Sequence, residues 1–121
     1  MRNPFLSSAG PRFADREEVL ALARDTAARI AAAYPQVFRI IVFGSFARGD
    51  YGPRSDLDLL IIFKESEQSM RELLAELLRF SPAYPTDFVP LTQFEVDARL
   101  AEGDPFLSRA IAEGIVLYPQ P

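Results

Sequence analysis

Apolar positions along the chain fall into two rhythms that alternate. Val19, Leu22, Ala23, Thr26, Ala27, Ile30 and Ala33 recur three and four residues apart, the spacing of one helical face. Asp15 with Glu18 three residues later reads as a capping-box start, and Asp25 and Arg29 pair at i, i+4 on the outer face. Tyr34-Pro35 ends this helix, because the residue before a proline resists the helical region. The rhythm then changes. VFRIIVF, residues 37–43, is β-branched, aromatic and nearly all apolar, so it predicts a strand covered on both faces and stopped by Gly44-Ser45. Residues 46–55 predict a short helical turn and a loop carrying Gly49, Gly52 and Pro53, and residues 57–63 a second strand.

The second half repeats the alternation. Residues 66–80 predict a helix with Met70, Leu73, Leu74, Leu77 and Leu78 on one face, read as core. After a proline-broken loop, residues 86–91 predict a third strand, with Pro90 marking its end or an edge position. Thr92 and Glu95 form a capping-box pair that opens a helix stopping at Gly103. Asp104-Pro105 starts a last helix, with proline where its missing N–H costs nothing. Gly114 closes it, and residues 115–118 predict a final strand. Phe94, Phe106, Leu107 and Ile111 lie on these two helices, and an exposed one among them would suit partner docking. Residues 1–13, with Pro4, Gly10 and Pro11, predict an arm. Residues 14–121 predict a single α/β domain of α+β two-layer type, a small mixed sheet packed against helices.

Composition narrows the chemistry. The 121 residues suit one domain, and 49% hydrophobic with 25% charged is globular composition. No apolar run reaches the ~20 residues of a membrane span, so no membrane association is expected. There is no cysteine and no histidine, which excludes disulfides, thiolate and imidazole metal sites, and histidine-based triads. Carboxylates, hydroxyls, Lys/Arg and backbone amides remain. The net charge of −4 argues against direct nucleic-acid binding, which favours basic patches. The start of the chain shows no signal peptide, so the cytoplasm is the expected compartment.

Two features then stand together. Gly44-Ser45 ends a buried strand just before a helical turn. A glycine there lets a phosphate approach the backbone and a serine hydroxyl adds a donor, although the pair alone also suits an ordinary turn. Asp56-Leu57-Asp58 opens the second strand. Residues i and i+2 of a strand point the same way, so both carboxylates leave one face with Cα atoms roughly 6.5–7 Å apart. That arrangement suits two divalent ions in phosphoryl or nucleotidyl transfer, and it also suits a polar strand start facing water. Asp87, on the third predicted strand, would complete the cluster if that strand lies beside the second.

The stretch GSFARGDYGPRSDLDLLIIF matches more than this skeleton. It resembles the signature of the polymerase-β-type nucleotidyltransferase superfamily, specifically the minimal nucleotidyltransferase (MNT) family: a strand, Gly-Ser-x-Ala-Arg-Gly, a loop, then Ser-Asp-x-Asp-Leu. Gly44, Ser45, Ala47, Arg48, Gly49, Ser55, Asp56, Asp58 and Leu59 match without departure. Asp87 in TDFVPL matches the family's third carboxylate, and FLSRAIAEGIVLY resembles its helix–glycine–strand close.

The resemblance implies a polymerase-β-like core using Mg²⁺ and a nucleoside triphosphate, commonly ATP. It implies that Asp56, Asp58 and Asp87 hold metal and are catalytic. Asp87 would also assist deprotonation of the acceptor hydroxyl. Gly44, Ser45, Arg48 and Ser55 would serve the nucleotide, and Arg54, in the same loop, is a further phosphate candidate or a solvated charge. Larger relatives carry a separate domain that holds the acceptor, so the acceptor site here is expected from a partner or a second copy. Members of this family pair with a helical HEPN toxin and silence it by adding AMP to a tyrosine, which implies a protein adenylyltransferase acting as antitoxin. Two further readings remain. One is a nucleotidyltransferase acting on a small molecule of the aminoglycoside type. The other is a non-catalytic antitoxin that binds its partner.

Overall fold

The computed structural model describes residues 15–120. The arm expected over residues 1–13 lies outside them. The first helix, α1, runs over Arg16–Ala33 and is followed by β1, Val37–Phe43. A single helical turn, α2, spans Ser45–Arg48 and leads through a loop to β2, Leu57–Phe63. Then come α3 (Met70–Leu77), a 3-10 turn over Leu78–Phe80 and β3 (Thr86–Thr92). The chain closes with α4 (Gln93–Ala101), α5 (Pro105–Glu113) and β4 (Ile115–Tyr118). Among the described residues, no helix is long and apolar enough to cross a membrane.

The four strands form one mixed sheet in the order β3-β2-β1-β4. β1 runs antiparallel to both β2 and β4, and β2 runs parallel to β3 through the α3 crossover. Alternation along the strands sorts side chains onto two faces. Val42, Leu57, Leu59, Ile61, Phe63 and Phe88 join Val19, Ala23, Ile30, Leu73 and Leu77 in one apolar cluster beneath α1 and α3. Ile41, Phe43, Leu60, Ile62 and Leu91 join Val96, Leu107 and Ala110 in a second beneath α4 and α5. β1 and β2 are covered on both faces, as their unbroken apolar runs require. Pro90 is accommodated because β3 is an edge strand.

Local chemistry sets most boundaries and moves three expectations. Asp15 caps α1 by accepting from the Glu17 amide (2.9 Å), so the Glu18 capping box does not form. The helix expected from residue 66 starts at Met70, because Ser69 and Glu72 form the reciprocal capping box. Ser66 is held in its own turn with Gln68. Within the expected core stripe Leu73 and Leu77 are buried, whereas Leu74 and Leu78 are exposed by 37% and 54%. α3 gives way to a tighter 3-10 turn at Leu78, whereas Leu74 lies within α3 itself, one residue round the helix from buried Leu73. The Thr92–Glu95 capping box and the Asp104-Pro105 helix start form as expected. Of the four apolar residues on the last two helices, Phe94 and Phe106 are exposed while Leu107 is buried.

Candidate active site

Strand register brings the acidic residues together. Asp58 pairs with Phe43 on one side and with Asp87 on the other. Directly paired residues project to the same face, so Asp58 and Asp87 stand side by side at the end of the sheet, on the α4/α5 face. Asp56 lies two residues before Asp58, outside the strand, with the same parity. Asp56 and Asp87 are exposed and Asp58 is half-buried. Burial, followed by the charges of Asp87 and Asp56, pushes Asp58 up to about 6, and Arg48 partly offsets this.

Gly44 closes the cluster from the β1 side. Its φ of +78° favours glycine, and a Cβ placed there would lie 2.5 Å from Asp58 Oδ2. This backbone therefore passes against the central carboxylate with no room for a side chain. Ser45 follows as the first residue of α2, partly exposed at the same end of the sheet. Phe46 fixes the turn from below: it is fully buried, stacks on Tyr51 with ring centroids 4.6 Å apart, and meets the edge of Tyr84 at 5.5 Å. Gly49, at φ +93°, ends the turn.

The loop from Gly49 to Ser55 is held by its own polar groups. The Ser55 hydroxyl accepts from the Gly52 amide (2.8 Å), and the Ser55 amide donates to the Gly52 carbonyl (3.1 Å). Tyr84 donates its hydroxyl to the Ser55 carbonyl (2.7 Å), and the Leu57 amide donates to the Pro85 carbonyl (2.9 Å). These two bonds fasten the segment carrying Asp56 to the start of β3. Arg48 is held by Asp50 (3.1 Å) and Glu113 (3.6 Å), and Glu113 also binds Arg109 (3.3 Å). Arg54 is exposed and forms no ion pair among the described residues. A cleft of about 340 Å³, walled by Phe43, Pro105, Phe106 and Ala110, opens beside Gly44 and Arg48.

The seven residues singled out from the sequence thus divide. Asp58 lies between Gly44 on one side and Asp87 on the other, with Ser45 and Asp56 near them in the chain. Ser55 is occupied in a turn, and Arg48 is engaged by carboxylates. Two residues that spacing does not reveal also build the site: Tyr84, which anchors the Asp56 segment, and Arg16, whose guanidinium binds the Phe46 and Ala47 carbonyls (2.7 and 3.0 Å). Both act across long sequence separations that leave no local pattern.

The acids suit a hard divalent cation in donor chemistry: they offer oxygen alone, and the charges on Asp56 and Asp87 bear on Asp58 with little relief. They do not make a closed cage, since among the described residues no three carboxylates converge as a set able to hold a metal ion. Mg²⁺ does not require one. It keeps several waters and uses one or two carboxylates together with substrate phosphates.

Comparison with known proteins identifies the family. Residues 24–118 match the family model described as "Nucleotidyltransferase domain". The crystal structure of a "putative nucleotidyltransferase" from Sulfolobus solfataricus is similar at 31% identity and TM-score 0.60, covering 69% of this chain and 75% of that one. A protein of Methanocaldococcus jannaschii described as a "putative protein adenylyltransferase" is 63% identical over 27 residues, which is 22% of this chain and 27% of that protein. A looser likeness is to a structure of a tri-AMPylated Shewanella oneidensis HEPN toxin in complex with MNT antitoxin. It stands at 18% identity and TM-score 0.39, covering 87% of this chain and 70% of that one.

Proposed function

Because the chain belongs to the nucleotidyltransferase domain family, we propose that it moves AMP from ATP to a hydroxyl of a partner protein. The acceptor in this reading is a tyrosine of a HEPN-class toxin, which the modification silences. The observation that carries the reading is the placement of Asp58 across the parallel ladder from Asp87, with the Gly44 backbone pressed against Asp58. Nucleotidyl transfer needs such an array of unneutralised carboxylates beside an open backbone turn. The likeness to the Methanocaldococcus jannaschii protein described as a "putative protein adenylyltransferase" supports a protein as acceptor, over the short stretch that the two share.

In this mechanism the backbone amides of the Gly44 turn and the Ser45 hydroxyl donate to oxygens of the triphosphate. Pairs among Asp56, Asp58 and Asp87, with waters and the phosphates, would hold Mg²⁺, which when bound supplies charge neutralisation on the triphosphate. Asp87 accepts the proton of the acceptor hydroxyl, being an exposed acid on the edge strand. The acceptor oxygen forms its bond to the α-phosphorus as the bond to the β-phosphate oxygen breaks, and pyrophosphate leaves in line. Arg48 would exchange Asp50 or Glu113 for phosphate if it takes part, because both its present partners are solvent-exposed ion pairs of small worth.

The test is a labelling reaction containing this chain, α-labelled ATP, Mg²⁺ and the HEPN-class product of a neighbouring gene. Label on the partner, lost with Asp56→Ala and with Asp58→Ala, is the expected result. Unchanged labelling in those variants would sink the reading. Label on neither protein, with ATP still bound, would redirect the search to a small-molecule acceptor. Silencing of the partner by Asp58→Asn as complete as by the wild type would identify a non-catalytic antitoxin.

A further inference from the structure

Arg16 is the first residue of α1, and it acts thirty residues away. Its Nε donates to the Phe46 carbonyl at 2.7 Å and a terminal nitrogen donates to the Ala47 carbonyl at 3.0 Å. Both bonds are charge-assisted, and together they grip two successive peptide carbonyls in the fixed fork of one guanidinium. The grip starts from a rigid base. α1 is capped by Asp15 and anchored in the main apolar cluster through Val19, Leu20 and Ala23.

The element that Arg16 grips cannot hold itself. α2 is a single turn of four residues, and one turn fixes its backbone angles for too few hydrogen bonds to be stable alone. It lies between two glycines with positive φ, Gly44 and Gly49, which leave the backbone free to swing at both ends. The buried Phe46 ring pins the turn to the core at one side chain. It leaves open the rotation of the peptide planes about that pin. The Arg16 fork removes that freedom, since it holds two neighbouring carbonyls at once. The gripped carbonyls belong to the same single turn as Ser45, directly after Gly44, which lies against Asp58.

We propose that Arg16 is a positioning residue for the nucleotide site: it fixes the Gly44–Arg48 turn, and through it the placement of Ser45 and Gly44 relative to Asp58. This inference rests on the nucleotide reading given above. It predicts that loss of the guanidinium weakens nucleotide binding out of proportion to any loss of stability.

Calorimetric titration of the full chain with ATP and Mg²⁺ tests it, alongside thermal unfolding, for wild type, Ser45→Ala, Arg16→Met, Arg16→Lys and Tyr34→Phe. Tyr34 lies outside the site and its substitution serves as a stability control. Arg16→Met is expected to bind ATP at least fivefold more weakly, approaching Ser45→Ala. Arg16→Lys, which keeps the charge and can donate to one carbonyl, is expected to fall between Arg16→Met and the wild type. Tyr34→Phe is expected to bind as the wild type does. Wild-type affinity in Arg16→Met would overturn the inference. So would an equal loss in Tyr34→Phe, since the effect would then be general loosening. Absence of ATP binding by the wild type would remove the nucleotide reading itself, and this inference with it. If Arg16→Met fails to unfold cooperatively, the comparison of Arg16→Lys with wild type and Tyr34→Phe decides the matter by the same rule.

Discussion

The backbone of Gly44 lies so close to Asp58 that a single added carbon would stand 2.5 Å from Oδ2 of the carboxylate. Gly44→Ala therefore meets two obstacles, the contact and a φ of +78° that alanine resists. The variant is expected to lose about 1–2 kcal/mol of stability and at least tenfold in transfer activity, because Asp58 must move aside. Thermal unfolding and the labelling reaction, run on the same preparation, check both. Full activity would show that the Gly44–Asp58 proximity is incidental.

Asp58 makes stability depend on pH with a definite sign. Its pKa in the fold is raised to about 6 from an ordinary 3.8 by burial, then by the charges of Asp87 and Asp56. A raised carboxylate stabilises the fold in its protonated form. That contribution is fully present below about 3.8 and is lost as pH rises through about 6. At neutral pH in a chelating buffer, Asp58→Asn is thus expected to be more stable than wild type. After discounting for the exposed half of the side chain, the gain is about 1 kcal/mol, or roughly 4 °C in Tm. The gap should close by about pH 4. Melting curves at the two pH values check this, and a constant gap would place its origin elsewhere.

Asp87 is exposed on the edge strand, so its loss should leave the fold intact. Asp87→Asn is expected to melt within about 0.5 kcal/mol of wild type. Transfer should fall by about a hundredfold or more, the usual reach of a positioned general base. Labelling and calorimetric ATP titration together separate loss of chemistry from loss of binding.

Two glycines offer a contrast in packing. A Cβ on Gly114 would strike Ile41 Cγ2 and the Ala110 carbonyl oxygen, so Gly114→Ala overpacks the junction of α5 with β1. A cost of about 1–3 kcal/mol is expected. Gly52 has nothing within 4 Å of the same position, and Gly52→Ala should be neutral within about 0.5 kcal/mol. Urea denaturation of both variants measures the difference.

Tyr34 donates its hydroxyl to Glu76 Oε1 (2.5 Å) and tethers the end of α1 to α3. Tyr34→Phe keeps the ring contacts with Phe63 and Phe80 but loses that bond. The midpoint of urea denaturation is expected to fall without a change of slope, and transfer activity should be unaffected. A loss of activity would imply a coupling between this side of the molecule and the site.

Much of this architecture is legible in the sequence, because local signals dominate it. β1 and β2 run where their apolar residues run, and the Thr92–Glu95 and Asp104-Pro105 starts announce α4 and α5. The motif residues are equally visible, although Asp56 lies just before β2 and Asp58 alone takes its direction from the strand. The exposure of Leu78 is not legible, because where a helix tightens depends on what it packs against. Nor are the roles of Arg16 and Tyr84. Each makes its bond to a backbone carbonyl, which every residue possesses, across 29 to 31 positions. The pairing of Arg48 with Glu113 was hidden for the same reason: it joins α2 to α5 only after the sheet has formed.

The parallel pairing of β2 with β3 has a consequence in time as well as in space. Antiparallel β1 and β2 are joined by α2 and its loop, residues 44–56, but β3 reaches its place only after α3 has crossed over the sheet. A chain emerging from the ribosome therefore carries Gly44, Asp56 and Asp58 well before it carries Asp87. Such long-range closures come late in folding. An unfinished copy, or one cut within the crossover, would present a pair of repelling acids and no third, so competence arrives with the completed sheet and not with the motif.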